Sequence, residues 1–191
     1  MANTLQDFIG SMSTAKGFAR LSRFEVEIHP PSGMDNWLNQ QTDSPGISDY
    51  ARVVSLHCDT IAMPGLDLKT QDIQHGSAPV RKQVTAHGYK GECAATFYLD
   101  AQHNTKSFFE VWQYLAVNPA THKANYYDNY VGSVKIFQLV GNSRTYGVEL
   151  EEAYPETVGD LSYTFAGGAE GVATVSVSFH YHKWHTLSKL D

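Results

Sequence analysis

The chain has 191 residues, of which 42% are hydrophobic, 12% aromatic and 18% charged, with 15 Gly and 7 Pro. That is enough apolar material for one substantial core and excludes wholesale disorder, while the low charge and absence of heptad runs exclude a coiled coil. Fourteen Lys and Arg against 20 Asp and Glu leave a formal net charge of −6, the wrong balance for a non-specific nucleic-acid binder that must neutralise phosphates.

At the start of the chain, Leu5, Phe8, Ile9 and Met12 fall at helical spacing, and Gly10 and Gly17 predict that the helix is short. The N-terminal residues Met1–Asp7 lack the basic and apolar regions of a secretory signal, and no stretch approaches a membrane span of roughly 18 apolar residues. The period then changes. Phe24, Val26 and Ile28 alternate with Glu25 and Glu27 until Pro30-Pro31, which predicts a half-buried strand. Residues 29–52, rich in Pro, Gly, Ser, Asp and Asn, are expected to form a long loop. Val53–Asp59 alternates again and predicts a second strand, followed by a turn at Met63-Pro64-Gly65. A second long loop is expected at about 66–81, then strands at Lys82–Gly88 and Cys93–Asp100.

One clear helix follows. Asn104 or Thr105 can cap it, Phe108, Phe109, Val111, Trp112 and Leu115 form its apolar stripe, and Asn118-Pro119 ends it. After a Tyr- and Asn-rich loop, Val134–Val140 and Tyr146–Glu152 predict a hairpin turning at Gly141–Arg144. Leu161, Tyr163 and Phe165 suggest a further strand before a turn over Ala166–Gly171. The last strand is the cleanest, with Ala173, Val175, Val177, Phe179 and Tyr181 on one face and Thr174, Ser176, Ser178, His180 and His182 on the other. The sum is a mostly β single domain over residues 1–191, an antiparallel β-sandwich or barrel with one flanking α-helix.

Chemistry-bearing motifs are few. Cys58 and Cys93 sit in apolar, strand-like runs and are expected to be reduced core thiols. The spacing His180-x-His182-x-x-His185 invites a metal site, but His185 falls on the wrong strand parity, so no metal and no cofactor are expected. Asp100 and His103 lie where the helix begins, where an Asp serves as cap or dipole partner more often than as a catalyst. No nucleophile elbow or phosphate loop is present, and Gly167-Gly168-Ala169-Glu170-Gly171 lacks the Lys and helix N-terminus of a phosphate cradle. Nothing in the sequence argues for an enzyme. Charge is uneven: Thr145–His182 contains no Lys or Arg but holds Glu149, Glu151, Glu152, Glu156, Asp160 and Glu170, and Phe24–Ala51 is likewise free of basic residues. Such stretches are either solvated faces or a surface that repels anions.

Three segments in order resemble the tail tube protein of contractile-tailed bacteriophages, a family related to type VI secretion tube proteins. They are Phe18-Ala19-Arg20-x-x-x-Phe24-x-Val26-Glu27-Ile28, the strand ending at Cys58 followed by Ala62-Met63-Pro64-Gly65, and Tyr154-Pro155-x-x-Val158-Gly159-x-Leu161. The likeness runs in outline from Phe18 to Trp184; the long loop from His29 to Arg52 and the tail beyond Trp184 depart from it. The resemblance implies a virion protein, assembled in the host cytoplasm, whose homohexameric rings stack into a hollow tube. It implies as partners the tail sheath, baseplate and tail terminator proteins, with the tape-measure protein and genomic DNA passing through the lumen without tight binding, and no membrane. Polar and acidic positions on an inner sheet are then expected to face the lumen, with Glu149, Glu151, Thr174, Ser176 and Ser178 as candidates. The second loop, through Leu66, Asp67, Lys69, Asp72, His75 and Arg81, is a candidate contact between rings or with the sheath. Alternatives are the tube of a type VI or other contractile injection system, a baseplate tube-initiator paralogue, and, in another class, a β-barrel metal- or ligand-binding protein.

Overall fold

A computed structural model describes residues 5–14, 17–35, 47–164 and 171–188. A short helix, α1 (Leu5–Thr14), precedes strand β1 (Phe24–His29), and α2 (Ile47–Leu56) follows. Then come β2 (Cys58–Ile61), β3 (Leu66–Ile73), β4 (Arg81–Tyr89) and β5 (Glu92–Tyr98). Helix α3 (Asn104–Ala116) leads to β6 (Gly132–Val140), β7 (Ser143–Val158), β8 (Thr174–His180) and β9 (Lys183–Thr186). Seven strands form one antiparallel sheet in the order β1-β6-β7-β8-β5-β2, with β9 also on β7, while β3 and β4 pair only with each other.

The sheet is two halves joined by β7. Up to Ala153, β7 lies between β6 and β9; from Tyr154 it pairs with β8. The junction is a bulge. Glu152 takes φ 55°, and between Val134↔Leu150 and Gly132↔Ala153 the bulged strand gains one residue. The extra residue shifts the buried parity from Val148 and Leu150 to Ala153, so the strand bends into the second half while still presenting apolar side chains to one core. A second register shift falls at Pro155, which has no N–H to give a ladder.

The core gathers Val26, Ile28, Val134, Ile136, Val148 and Leu150 from the first half, and Cys93, Phe97, Val175, Val177 and Phe179 from the second. Helix α3 closes it. Phe108, Phe109 and Trp112 are fully buried, and Phe97 and Phe109 stack at 4.8 Å between ring centres. The N-cap position is His103, not Asn104 or Thr105, and makes no side-chain capping bond; instead the Thr105 N–H donates to Asp100 Oδ1 at 3.3 Å. Gly132 is held to hydrogen by its surroundings, since a Cβ there would lie 2.3 Å from the His29 carbonyl and 2.8 Å from the Trp112 ring. Gly132→Ala is therefore expected to cost about 2–3 kcal/mol by overpacking, read as a melting temperature lower by about 5–10 °C.

The mostly antiparallel β architecture agrees with the sequence, and four expectations need correction. Residues 47–56 of the first long loop and the predicted strand from Val53 are helix α2, because Ala51 and Val54 bury one helical stripe while Leu56 stays 75% exposed. The second loop, 66–81, is mostly strand: β3 pairs with β4 from Leu66↔Tyr89 to Ile73↔Arg81. Its side chains are exposed on both faces, and the alternation of Leu66 and Leu68 with Asp67 and Lys69 stops at the polar Thr70-Gln71-Asp72, too short a period to read as a strand. Leu161 and Tyr163 lie outside any strand, since β8 already has β7 on one side and β5 on the other. The turn expected over Ala166–Gly171 falls, to residue 170, outside the described residues, as does Phe165.

Candidate functional site

The outward face of the first half-sheet is a grid of charge. Parity puts Glu25 and Glu27 of β1, Lys135 and Phe137 of β6, Glu149 and Glu151 of β7, and Lys183 and His185 of β9 on the side away from the core. Cross-strand register aligns them in rows. Glu27 lies opposite Lys135, Lys135 opposite Glu149, and Glu149 opposite His185, so acidic and basic residues alternate across four strands. Opposite charges at directly facing positions are a favourable cross-strand pair.

The contacts follow the rows. Lys135 Nζ is 3.9 Å from Glu149, and Lys183 Nζ is 2.9 Å from Glu151. His185 Nδ1 is 2.7 Å from Glu151 and its Nε2 is 3.7 Å from Glu149. Arg144 reaches back from the start of β7 across β6, bonding Glu25 through Nε at 2.9 Å and Glu27 through its Nη2. Its guanidinium lies 4.0 Å above the Phe137 ring, which explains why that outward-facing phenylalanine is buried. The Lys183 ammonium beside Glu151 holds that carboxyl below the ordinary glutamate range. Lys135, Arg144 and Lys183 thus each have a carboxylate partner.

The structure does not bring the five lumen candidates together. Glu149 and Glu151 belong to the charged grid, whereas Thr174, Ser176 and Ser178 lie on β8, opposite Tyr98, Thr96 and Ala94 of β5. Both sets face away from the core, but the core lies between the two half-sheets, so the two outward faces look in different directions. The second outward face is mainly hydroxyl and small side chains. Sequence reasoning placed Glu25 and Glu27 on the outward face of the first strand and weighed His185 only as a metal ligand, and it passed over Lys135, Arg144 and Lys183; the mutual contacts of all six depend on register.

The contact candidates Leu66, Asp67, Lys69, Asp72 and Arg81 lie on the β3–β4 hairpin, with His75 in its connecting turn. Direct pairing sets Leu66 and Leu68 on the same face as Tyr89, His87 and Val84. This apolar face is open: Leu66, Leu68, Val84 and Tyr89 are 42–55% exposed. The hairpin is tied at its root, where Trp184 Nε1 donates to Gly65 O at 3.2 Å and the Trp184 ring packs edge-on against Tyr89.

The other chemistry-bearing residues have structural partners. His180 lies against Tyr154 and 3.9 Å from Glu156, while His185 is engaged with the grid, so the two do not converge on one point. Among the described residues no group of three or more His, Cys, Asp and Glu could hold a metal ion. Asp100 accepts from Asn104 as well as Thr105, and His103 meets the Tyr163 hydroxyl at 3.2 Å. Cys58 and Cys93 are free thiols donating to the carbonyls of Thr60 and Ala62. Burial pushes both up to about 12. Neither is expected to react with iodoacetamide at pH 8 in the native protein, and both become reactive in denaturant, as mass spectrometry would report. Among the described residues, no helix is long and apolar enough to cross a membrane.

A family model described as phage tail tube protein matches residues 19–187. Among solved structures, the fold is similar to a chain of the PVC sheath–tube complex of an extracellular contractile injection system in its extended state, with a TM-score of 0.61 at 8% identity, covering 98% of this chain and 100% of that one. It is similar to a chain of the anti-feeding prophage tube-terminating cap, with a TM-score of 0.59 at 9% identity over 90% and 92% of the two chains. A chain of the anti-feeding prophage baseplate gives a TM-score of 0.55 at 15% identity, over 89% and 95%. No curated protein matches the sequence.

Proposed function

The chain belongs to the phage tail tube protein family, a component of the tail and a structural protein rather than an enzyme, and from that premise we propose that six copies close into a ring and that rings stack into the bore through which DNA leaves. The observation that carries this reading is the first half-sheet: four antiparallel strands whose two outer strands, β1 and β9, have no strand paired on their outer edge among the described residues, Ser55 of α2 taking only the Ile28 N–H at the end of β1. Open edges are an aggregation liability unless something pairs them, and ring closure does so.

The charged grid faces the lumen in this reading, with Glu149 and Glu151 among its lining residues. A conduit must not hold its cargo, and each phosphate bound by a free Lys or Arg would add a retarding contact. Here Lys135, Arg144 and Lys183 are already occupied by glutamates, so the wall offers DNA or a tape-measure protein few unpaired cations. Thr174, Ser176 and Ser178 then lie on the outer side, the side available to a sheath. The β3–β4 hairpin contacts the next ring, and baseplate and terminator proteins bound the two ends of the stack.

Light scattering coupled to size exclusion, with negative-stain microscopy of the same fractions, tests the assembly. The expected result is a closed ring of six subunits or a hollow tube. A strict monomer at all concentrations, even after addition of a tube nucleus, would overturn it.

A further inference from the structure

We propose that the β9 edge of one copy pairs with the β1 edge of the next, in the register that sets His185 opposite Glu25 and Lys183 opposite Glu27. The inference rests on the ring reading above and assigns the residues that would close the ring. Three independent features of the two edges agree on it.

The first is strand direction. In the row β1-β6-β7-β9 each strand is antiparallel to its neighbour, so β9 runs opposite to β1. Copies related by rotation about a ring axis keep their strand directions. The β1 strand of the next copy therefore meets β9 antiparallel, and the alternation continues unbroken. A half-sheet with an odd number of strands would give a parallel junction.

Hydrogen-bond phase is the second. In an antiparallel pair alternate residues turn N–H and C=O away from the partner strand. Arg23 O accepts from Leu139 N, and the Ile28 N–H turns away from β6 to reach Ser55 Oγ at 3.0 Å, so the even residues Phe24 and Val26 present their backbone to the open side. On β9, Leu187 N donates to Gly147 O, so odd residues bond β7 and the even residues Trp184 and Thr186 face outward. Setting Trp184 opposite Val26 and Thr186 opposite Phe24 lets both open edges bond, with Val26 and Trp184 both on the core side of the pleat. The positions between them are then His185 with Glu25 and Lys183 with Glu27, side chains on the charged face.

Charge sign is the third. The grid begins with acids on β1 and ends with bases on β9, so the sequence acid, base, acid, base repeats across the junction without a like-charge contact. Space is present as well. A groove of about 1000 Å³ runs beside β1, lined in part by Phe24, Val26, Leu56 and Tyr98. Two different patches meet, so the contact is head to tail and closes only as a ring.

The predicted His185–Glu25 position is a non-hydrogen-bonded pair, where Cα atoms lie about 4.5 Å apart, within disulfide range. The E25C/H185C protein, assembled and mildly oxidised, is expected to give covalent multimers on non-reducing gels, whereas E25C/S178C and each single variant stay monomeric there. The native thiols bond backbone carbonyls and do not compete. A second test reverses charge: K183E and E27K should each raise at least tenfold the protein concentration needed for rings, and the double variant should be impaired clearly less than the two single losses combined, since only the contact between copies is restored. If the cysteine pair itself blocks assembly, recovery in the reversal pair supports the assignment and its absence overturns it. Rings of E25C/H185C that remain monomeric on the gel overturn the edge assignment and leave ring formation standing. A wild-type protein that forms no rings overturns the assembly reading instead.

Discussion

Trp112→Ala is expected to lose about 3–5 kcal/mol of folding stability, a large part of the 5–15 kcal/mol typical of a domain. The side chain is fully buried, with its ring 6.0 Å from Phe108 and 6.4 Å from Phe179, between the helix and the second half-sheet. Its Nε1 donates to Tyr130 O at 2.7 Å, which anchors the end of the Tyr-rich loop just before β6 begins at Gly132. Truncation leaves a cavity the surrounding rings cannot fill, and deprives the Tyr130 carbonyl of its donor. Thermal unfolding should show a midpoint lower by roughly 10–15 °C. Trp112→Phe separates the two contributions: most of the ring packing stays, and the lost hydrogen bond alone should cost about 1–2 kcal/mol. A loss below about 1 kcal/mol for the alanine variant would mean that α3 does not close the core.

Trp112 also marks what the sequence makes legible. Its helix, strand β1, the β6–β7 hairpin and β8 were readable because each buries one face against one core, which writes a period of 3.6 or 2 into the residues. Helix α2 was misread because Val54, Leu56 and Cys58 alternate by accident, while the helical stripe through Ala51 and Val54 is short. Strand β3 was invisible because neither of its faces is buried. The charged grid was half legible. Strand parity placed Glu149 and Glu151 on a non-core face, and the acidic bias was visible in composition. Their partners were not, because Lys135, Lys183 and His185 come from two other strands and meet them through a register fixed by the turn and the Glu152 bulge. The free-looking acids of the sequence are paired acids in the fold.

The hairpin that the sequence hid carries the second large effect. Replacing residues 68–87 with Asn-Gly keeps the pairs Leu66↔Tyr89 and Asp67↔Gly88 and closes them with a two-residue turn. The body loses no buried side chain, and the Trp184 contacts at the root remain, so the melting temperature should change by no more than about 2 °C. Assembly should change completely: rings still form, and tubes do not. An isolated two-stranded ribbon is marginal in water, and this one exposes Leu66, Leu68, Val84 and Tyr89 on one face, so it needs a partner surface to hold its shape. On the stacking proposed above, charge agrees with a second copy as that partner. Residues 66–90 carry a net +2 from Lys69, Arg81, Lys82 and Lys90 against Asp67 and Asp72, leaving −8 on the remainder of the chain. A hairpin reaching an acidic neighbour in the next ring gains attraction that weakens with salt, so wild-type tubes should shorten as ionic strength rises from 0.05 to about 0.5 M. Leu68→Asp with Val84→Asp, which leaves the hairpin's length intact, should reproduce the loss of tubes. Full-length tubes from the shortened hairpin, seen by negative-stain microscopy, would remove it from the stacking contact and leave ring-to-ring adhesion to the body of the sheet.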